Sequence, residues 1–229
     1  MNKLSISMSR TENLLMWCYL FFETFVLATV LYLVNLLLPV PLSDAMLNVV
    51  YFVINFTFTV IVCRKFLTQS VLKAVSHPFQ FLKYAFLGFV LYYVGSILVS
   101  YLILYLRPDY FNANDANIAD MTQENYTLIS LCTIVLVPPV EEVLYRGLIF
   151  RRLYNHNHIA AYAVSSIVFS AIHVTGYIGV QEPMLLLLSL LQYIPAGLCL
   201  GWAYAKSDTI ATPILIHMTI NQIAMLSMR

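Results

Sequence analysis

The stretch LISLCTIVLVPPVEEVLYRGLIF, residues 128–150, decides how this sequence is interpreted. It is long and apolar enough for a membrane-spanning helix, which needs about 20 such residues. Yet Glu141, Glu142 and Arg146 lie within it. A charge at the bilayer centre costs at least about 2.5–3.5 kcal/mol. Each of these three charges is therefore expected either to pair with an opposite charge or to take part in the function of the protein.

The chain as a whole has the composition of a polytopic membrane protein. Of its 229 residues, 61% are hydrophobic and 10% are charged, whereas a soluble domain usually carries about 25% charged residues. A net charge of +1 gives no reason to expect a nucleic-acid partner. The sequence therefore predicts an all-α protein whose main surroundings are the lipid bilayer.

Seven apolar segments are long enough, or nearly so, to span a membrane. They cover residues 14–40, 46–63, 84–106, 127–150, 158–175, 184–205 and 209–228. Pro138 and Pro139 are expected to break or kink the fourth segment, because proline removes a helix donor and clashes with the preceding turn. That break would make two shorter helices from residues 121–155. We therefore predict seven to eight transmembrane helices.

Basic residues are concentrated in alternate loops. Lys3 and Arg10 precede the first segment, and four more basic residues lie within residues 64–83. The loop of residues 107–126 is mostly acidic and polar. By the positive-inside rule, the N-terminus is predicted to be cytoplasmic and residues 107–126 to lie outside. We expect a multi-pass protein of the cell membrane.

Small residues indicate where two helices approach closely. Gly197 and Gly201 are four positions apart in the sixth segment, and the fifth contains the run AVSSIVFSA, residues 163–171. Spacing of this kind lets neighbouring helix backbones come into contact. We expect each of these two segments to pack closely against a neighbouring helix.

The spacing of the charges in residues 128–150 suggests how they are satisfied. Glu142 and Arg146 are four residues apart with the acid first, which is the favourable order for a helical ion pair. Glu141 points about 100° away from Glu142 around the helix. Glu141 is therefore predicted to lack a cation of its own and to be free to accept a proton.

Two further polar pairs lie within apolar segments. The sequence FSAIH places Phe169 and His173 one helical turn apart, and HMTIN does the same for His217 and Asn221. A single histidine in such a segment is more often a satisfied core residue than a catalytic one. Counted from the predicted segment ends, Glu141 and His217 lie about 10 Å deep and His173 about 20 Å.

These motifs, in this order, resemble those of a known family. EEVLYRG fits the pattern EExxxR followed by Gly, FSAIH fits FxxxH, and HMTIN fits HxxxN. They resemble the motifs of the CAAX-protease and bacteriocin-processing (Abi) family of intramembrane endopeptidases. The resemblance covers about residues 120–225. We therefore expect a catalytic core at residues 120–229, preceded by variable transmembrane helices at residues 1–119.

The resemblance implies hydrolysis of a peptide bond in a membrane-associated peptide or protein, at a site inside the membrane near the cytoplasmic side. Its motif positions imply that Glu141 and His173 activate the attacking water, and that His217 and Asn221 stabilise the oxyanion. The supporting residues would be Glu142, Arg146 and Phe169. Peptide processing or self-immunity to a bacteriocin is the expected role.

The same residues leave a metal site open. Glu141, His173 and His217 form a two-histidine, one-carboxylate zinc set with an open position for water. The sequence lacks HExxH, however, and a glutamate–histidine pair can activate water without a metal. We expect that no cofactor is required, with zinc as the alternative.

Two other functions compete with proteolysis. A proton-coupled transporter also uses intramembrane glutamate and histidine, but this chain is short and shows no internal repeat. A catalytically silent immunity or binding protein of the same fold would not need the intact set of polar residues. Both functions are kept as alternatives.

Overall fold

The protein folds as a bundle of helices. A computed structural model describes residues 4–229, so Lys3 lies outside the described residues. The structure is 84% helical, and its described residues contain no strand. Their eight helical units are α1 Arg10–Leu36, α2 Asp44–Val62, α3 Arg64–Ser76, α4 Pro78–Leu106, α5 Ala113–Tyr154, α6 His158–Thr175, α7 Pro183–Ser207 and α8 Ala211–Ser227. The predicted all-α class is confirmed.

Six of these helices within residues 4–229 are long and apolar enough to cross a membrane, namely α1, α2, α4, α5, α6 and α7. The last predicted segment forms α8, which has 17 residues and covers only about 25 Å at 1.5 Å per residue. A polytopic membrane protein is therefore confirmed. By length and composition, six helices within residues 4–229 can span a membrane, where the sequence predicted seven to eight.

The helix is not broken at Pro138 and Pro139. These prolines occupy the first turn of an α-helical segment that follows a wider π-helical turn, Cys132–Leu136. Proline lacks a backbone N–H, so carbonyls of the preceding π-helical turn lose helical donors while the helix itself continues. The backbone instead leaves helical geometry at Asn125, with φ −156° and ψ 87°. Residues 113–124 thus form a polar helical segment where the sequence predicted a loop.

The contact between α6 and α7 is closest at Gly197. A Cβ added there would lie 2.6 Å from Cβ of Ser166 and 2.7 Å from its Cα. Real atoms cannot approach so closely, so only glycine fits. The sequence predicted close helix packing for each of these segments, and the structure shows that they pack on each other.

The basic residues that oriented the chain by sequence meet at one end of the bundle. Lys73 forms an ion pair with Asp208. Nε of Arg151 donates to a backbone carbonyl of the N-terminal segment at 2.6 Å. We call this the basic end, and the opposite end, with residues 107–112 and 176–182, the polar end.

Replacing Gly197 with alanine will destabilise the bundle, because the added methyl group would overlap the backbone of Ser166. Overpacking of this kind costs about 1–3 kcal/mol. Gly176→Ala is the matched control, since nothing lies within 4 Å of a Cβ at that position. We expect only Gly197→Ala to lower the thermal unfolding midpoint of the purified protein in detergent. Equal midpoints for the two variants would contradict this account of the contact.

Candidate active site

Glu142 and Arg146 form an ion pair inside α5. Nη1 of Arg146 donates to Oε1 of Glu142 at 3.0 Å, and both side chains are 0% exposed. The same Oε1 lies 2.9 Å from Nδ1 of His217 in α8. A buried charge left without partners is strongly destabilising. The pairing expected from the i,i+4 spacing is present, and His217 adds a partner from a second helix.

The ring of Phe169 in α6 covers the guanidinium of Arg146. Cζ of Arg146 lies 4.3 Å from the ring centroid. The same ring is 5.9 Å from that of His217 and 4.7 Å from that of His173, centroid to centroid. A desolvated cation over an aromatic face gains about 2 kcal/mol. Phe169 therefore stabilises the ion pair and packs against both histidines.

Both histidines are held through Nδ1. In His173 this atom lies 2.7 Å from the carbonyl oxygen of Phe169, and in His217 it contacts the carboxylate of Glu142. Carbonyl and carboxylate oxygens only accept, so Nδ1 is the donor in each case. Nε2 of both rings is thereby left to face Glu141, whose Oε2 lies 3.9 Å from each.

Glu141 is the glutamate that lacks a cation of its own. Its Oε2 is buried and has no hydrogen-bond partner among the described residues. The distance of 3.9 Å to each histidine exceeds a direct hydrogen bond. Oε2 of Glu141 therefore makes no hydrogen bond within the described residues, although it lies close to two imidazole nitrogens.

The different depths predicted for Glu141 and His173 are wrong. The sequence ended the fourth segment at residue 150, whereas α5 continues to Tyr154. Counted from Tyr154 and from His158, both side chains lie about 20 Å from the turn between α5 and α6. The two helices therefore bring them to the same level.

Asn221 has a backbone contact that the sequence did not predict. Its Nδ2 donates to the carbonyl oxygen of Thr133 at 2.9 Å. Thr133 lies in the π-helical turn of α5, and the residue five positions later is Pro138, which has no N–H to offer. Asn221 thus satisfies a carbonyl that the helix leaves free. Its amide retains a second N–H, and its predicted role at the oxyanion stays a prediction.

A cavity of about 240 Å³ adjoins these residues. Its lining includes Glu141, His173, His217, Asn221, Thr133, Tyr193, Asn48, Phe52, Asn114, Asp115, Asn117, Met121 and Met228. The last five of these belong to the polar segment of α5 and to the end of α8. The cavity therefore extends from the middle of the bundle toward the polar end.

Helices from residues 1–119 also form walls around Glu141. A smaller cavity of about 40 Å³ is lined by Glu141 together with Glu23 and Tyr51. The hydroxyl of Tyr51 donates to Oε1 of Glu23 at 2.7 Å. Surroundings of Glu141 are therefore built by α1 and α2 as well as by the motif-bearing helices.

Three residues beside the site were missed by the sequence. The ring of Tyr193 stacks on His173 with centroids 4.3 Å apart, and its hydroxyl donates to Asp115 at 3.1 Å. Nε2 of Gln192 lies 3.4 Å from the same carboxylate. Gln192 lies within an apolar segment and carried the same kind of signal as the histidines. Asp115 carried none, because its polar surroundings indicated a loop.

Two histidines and a glutamate are donor types that suit zinc, but the structure does not place them as a metal site. Glu141, His173 and His217 converge, and both histidines are oriented through Nδ1, as is usual for metal-bound histidines. Across residues 4–229, however, no group of three or more His, Cys, Asp or Glu side chains is arranged to hold a metal ion. The residues as placed do not make a preformed zinc site.

Glu141, His173 and His217 surround a cavity within the helical bundle. Residues 123–223 match the family model described as type II CAAX prenyl endopeptidase Rce1-like. This part of the chain is therefore similar to the CAAX intramembrane proteases, which are hydrolases. Comparison with curated proteins and with solved structures finds no significant match.

The family match agrees with the resemblance seen in the motifs. The matched residues contain all three motifs, from Glu141 to Asn221, and a little under half of the chain. A protease of this kind acts on membrane-associated substrates. The match favours proteolysis over the transporter alternative, since the family consists of hydrolases.

Replacing Arg146 with glutamine will destabilise the fold, because the Glu142 carboxylate would remain buried without its cation. Breaking one side of a buried pair costs about 3–5 kcal/mol. Arg152→Gln is the control, since Arg152 is exposed and such a change stays within about 0.5 kcal/mol. The measurement is thermal unfolding in detergent, followed by dye labelling of the buried thiols of Cys63 and Cys132. A midpoint for Arg146→Gln equal to that of the control would refute the role of the pair.

Proposed function

We propose that the chain hydrolyses a peptide bond of a membrane-associated peptide or protein, using water activated by Glu141. One observation carries this proposal: Oε2 of Glu141 lies 3.9 Å from Nε2 of both His173 and His217. Glu142, the neighbouring carboxylate, is already engaged by Arg146 and His217. The two glutamates therefore have different tasks.

Water activation is assigned to Glu141 and His173. Because Nδ1 of His173 donates to a carbonyl, its Nε2 carries a lone pair that accepts from water. The Glu141 carboxylate accepts the other hydrogen of the same water. Glu141 removes this proton as the oxygen attacks the peptide carbonyl carbon, and returns it to the leaving nitrogen when the C–N bond breaks.

Stabilisation of the oxyanion is assigned to His217. Its Nδ1 donates to the Glu142 carboxylate, which holds the ring with Nε2 toward Glu141. When the ring carries a proton on each nitrogen, Nε2–H donates to the negative charge that develops on the peptide oxygen. Donors aimed at developing charge are worth about 2.7–4 kcal/mol each in known enzymes. Asn221, on the same face of α8, is the second proposed donor through its remaining N–H.

No step in this mechanism passes through a metal. The hydrogen-bonding roles of Glu141, His173 and His217 are complete without one, which matches the absence of HExxH from the sequence. A bound zinc ion would supply Lewis acidity and a more acidic water. We propose that the enzyme does not need it.

The division of the chain is proposed at residue 119, with variable helices before it and the catalytic core after it. Support comes from the family match, which begins at residue 123. The residues before the boundary still contribute walls to both cavities. Their proposed task is to shape the entry of substrate.

For the biological role, we propose processing of a membrane peptide, including self-immunity to a bacteriocin. This rests on the motif resemblance. Comparing membrane peptides by mass spectrometry, with active and with inactive enzyme, will identify the substrate.

Glu141→Gln keeps the size of the side chain but cannot take a proton, so turnover will fall about 10²-fold or more. The assay is mass spectrometry of peptides released from vesicles that contain the purified protein. Glu182→Gln is the matched control, because Glu182 lies at the polar end, paired with Arg107.

Two results would overturn this mechanism. The first is retained turnover in a Glu141→Gln protein that unfolds at the wild-type temperature. The second is loss of wild-type turnover in the presence of a zinc chelator, followed by recovery when zinc is added back. The proposed mechanism predicts that the chelator has no effect.

The orientation in the cell membrane is proposed from the positive-inside rule, with the N-terminus and basic end in the cytoplasm. The cavity then extends toward the non-cytoplasmic side. Thiols introduced at the exposed positions Asp120 and Gln69 report the two ends. An impermeant reagent applied to intact cells should modify Asp120→Cys and leave Gln69→Cys unmodified. The reverse labelling would invert the proposed orientation.

A further inference from the structure

Asp115 is a carboxylate in the catalytic cavity that the proposed mechanism does not use. It lies on the polar segment of α5 and lines the same cavity as Glu141 and both histidines. A single aromatic ring separates it from the site, because Tyr193 bonds to Asp115 and stacks on His173. Asp115 is therefore placed where part of a substrate bound for hydrolysis must lie.

The position of Asp115 is held by several hydrogen bonds. The hydroxyl of Tyr193 donates to Oδ1 at 3.1 Å, and Nε2 of Gln192 lies 3.4 Å from Oδ2. Its backbone N–H donates to the side chain of Asn112 at 3.2 Å, which caps this helical segment. The carboxylate is thus oriented before any ligand arrives.

No cation neutralises Asp115. The cavity lining contains no lysine or arginine, and no ion pair of Asp115 occurs within residues 4–229. At the polar end, Arg107 is already paired with Asp109 and Glu182. A carboxylate in a confined cavity gains strongly from a positive partner, because water screens the attraction poorly there.

We propose that Asp115 selects substrates by binding a positively charged group close to the bond that is cleaved. This inference rests on the proposed function and specifies its substrate class. The group is a lysine or arginine side chain, or a free amine. Its ammonium or guanidinium would donate to the Asp115 carboxylate, while the polar side chains of Asn114 and Asn117 in the same lining accept further hydrogen bonds.

The charge of the cavity also disfavours certain substrates. Glu141 and Asp115 both carry carboxylates, and the lining contains no lysine or arginine to oppose them. An acidic side chain or a free C-terminal carboxylate at this position would meet like charge. The site therefore selects for a basic residue and against an acidic one.

Asp115 has one other physical role to consider, which is to orient His173 through Tyr193. That role would affect every substrate equally, because it acts on the histidine and makes no contact with the substrate. Charge recognition instead changes the ratio between a charged and a neutral substrate. The test therefore compares the affinity for a charged substrate with the affinity for a neutral one.

The experiment measures binding in full-length protein carrying Glu141→Gln, which prevents turnover. Fluorescent peptides with one apolar spanning segment are used in phosphatidylcholine vesicles. One series carries lysine at successive positions, and a matched series carries neutral acetyl-lysine. At one or more positions we expect lysine to bind about ten- to hundredfold more tightly, as for a hydrogen bond to a charged group.

Adding Asp115→Asn should bring this ratio close to one. Asp120→Asn is the matched control, because Asp120 is an exposed carboxylate on the same helical segment outside the cavity lining. It should preserve the lysine preference. Three results would overturn the inference: no lysine preference at any position, a preference that survives Asp115→Asn, or equal weakening of both series by that variant.

Cleavage of the same peptides by the wild-type protein separates the two proposals. Preferred cleavage of the lysine peptides supports both. If lysine peptides bind through Asp115 but are not cleaved, the proposed hydrolysis fails while the recognition of a cation stands. If peptides of both series are cleaved at equal rates and bind equally, hydrolysis stands and the role of Asp115 is wrong.

Discussion

The carboxylate of Glu142 is the point on which the rest of the site depends. It accepts from Arg146 in its own helix and from His217 in α8, and Phe169 of α6 covers the arginine. Three helices are therefore joined at a charge that none of them would bury alone. Because both Arg146 and His217 contact Oε1 of Glu142, its neighbour Glu141 is left without a cation of its own.

A backbone irregularity contributes in a similar way. The π-helical turn before Pro138 leaves a carbonyl at Thr133 without a helical donor, and Asn221 supplies one from α8. Wide turns of this kind often occur at functional sites. Two polar contacts from α8, one at His217 and one at Asn221, thus set the position of this helix against α5.

The cavity is assembled from parts of the chain that the motifs do not mark. Asn48 and Phe52 of α2 form one wall, and the polar segment of α5 forms another with Asp115. A boundary at residue 119 therefore passes through the site. Residues on both sides of this boundary therefore line the cavity that contains Glu141 and the two histidines.

The sequence by itself determined the membrane class, the pairing of Glu142 with Arg146, and the freedom of Glu141, because composition and helical spacing are local properties. It also singled out His173, His217 and Asn221 as polar groups at membrane depth. Only the tertiary structure decided that α5 continues through its prolines and that the cavity extends toward the polar end. The tertiary structure also brought Asp115 and Tyr193 to the site, because their positions depend on contacts between helices that are far apart in the sequence.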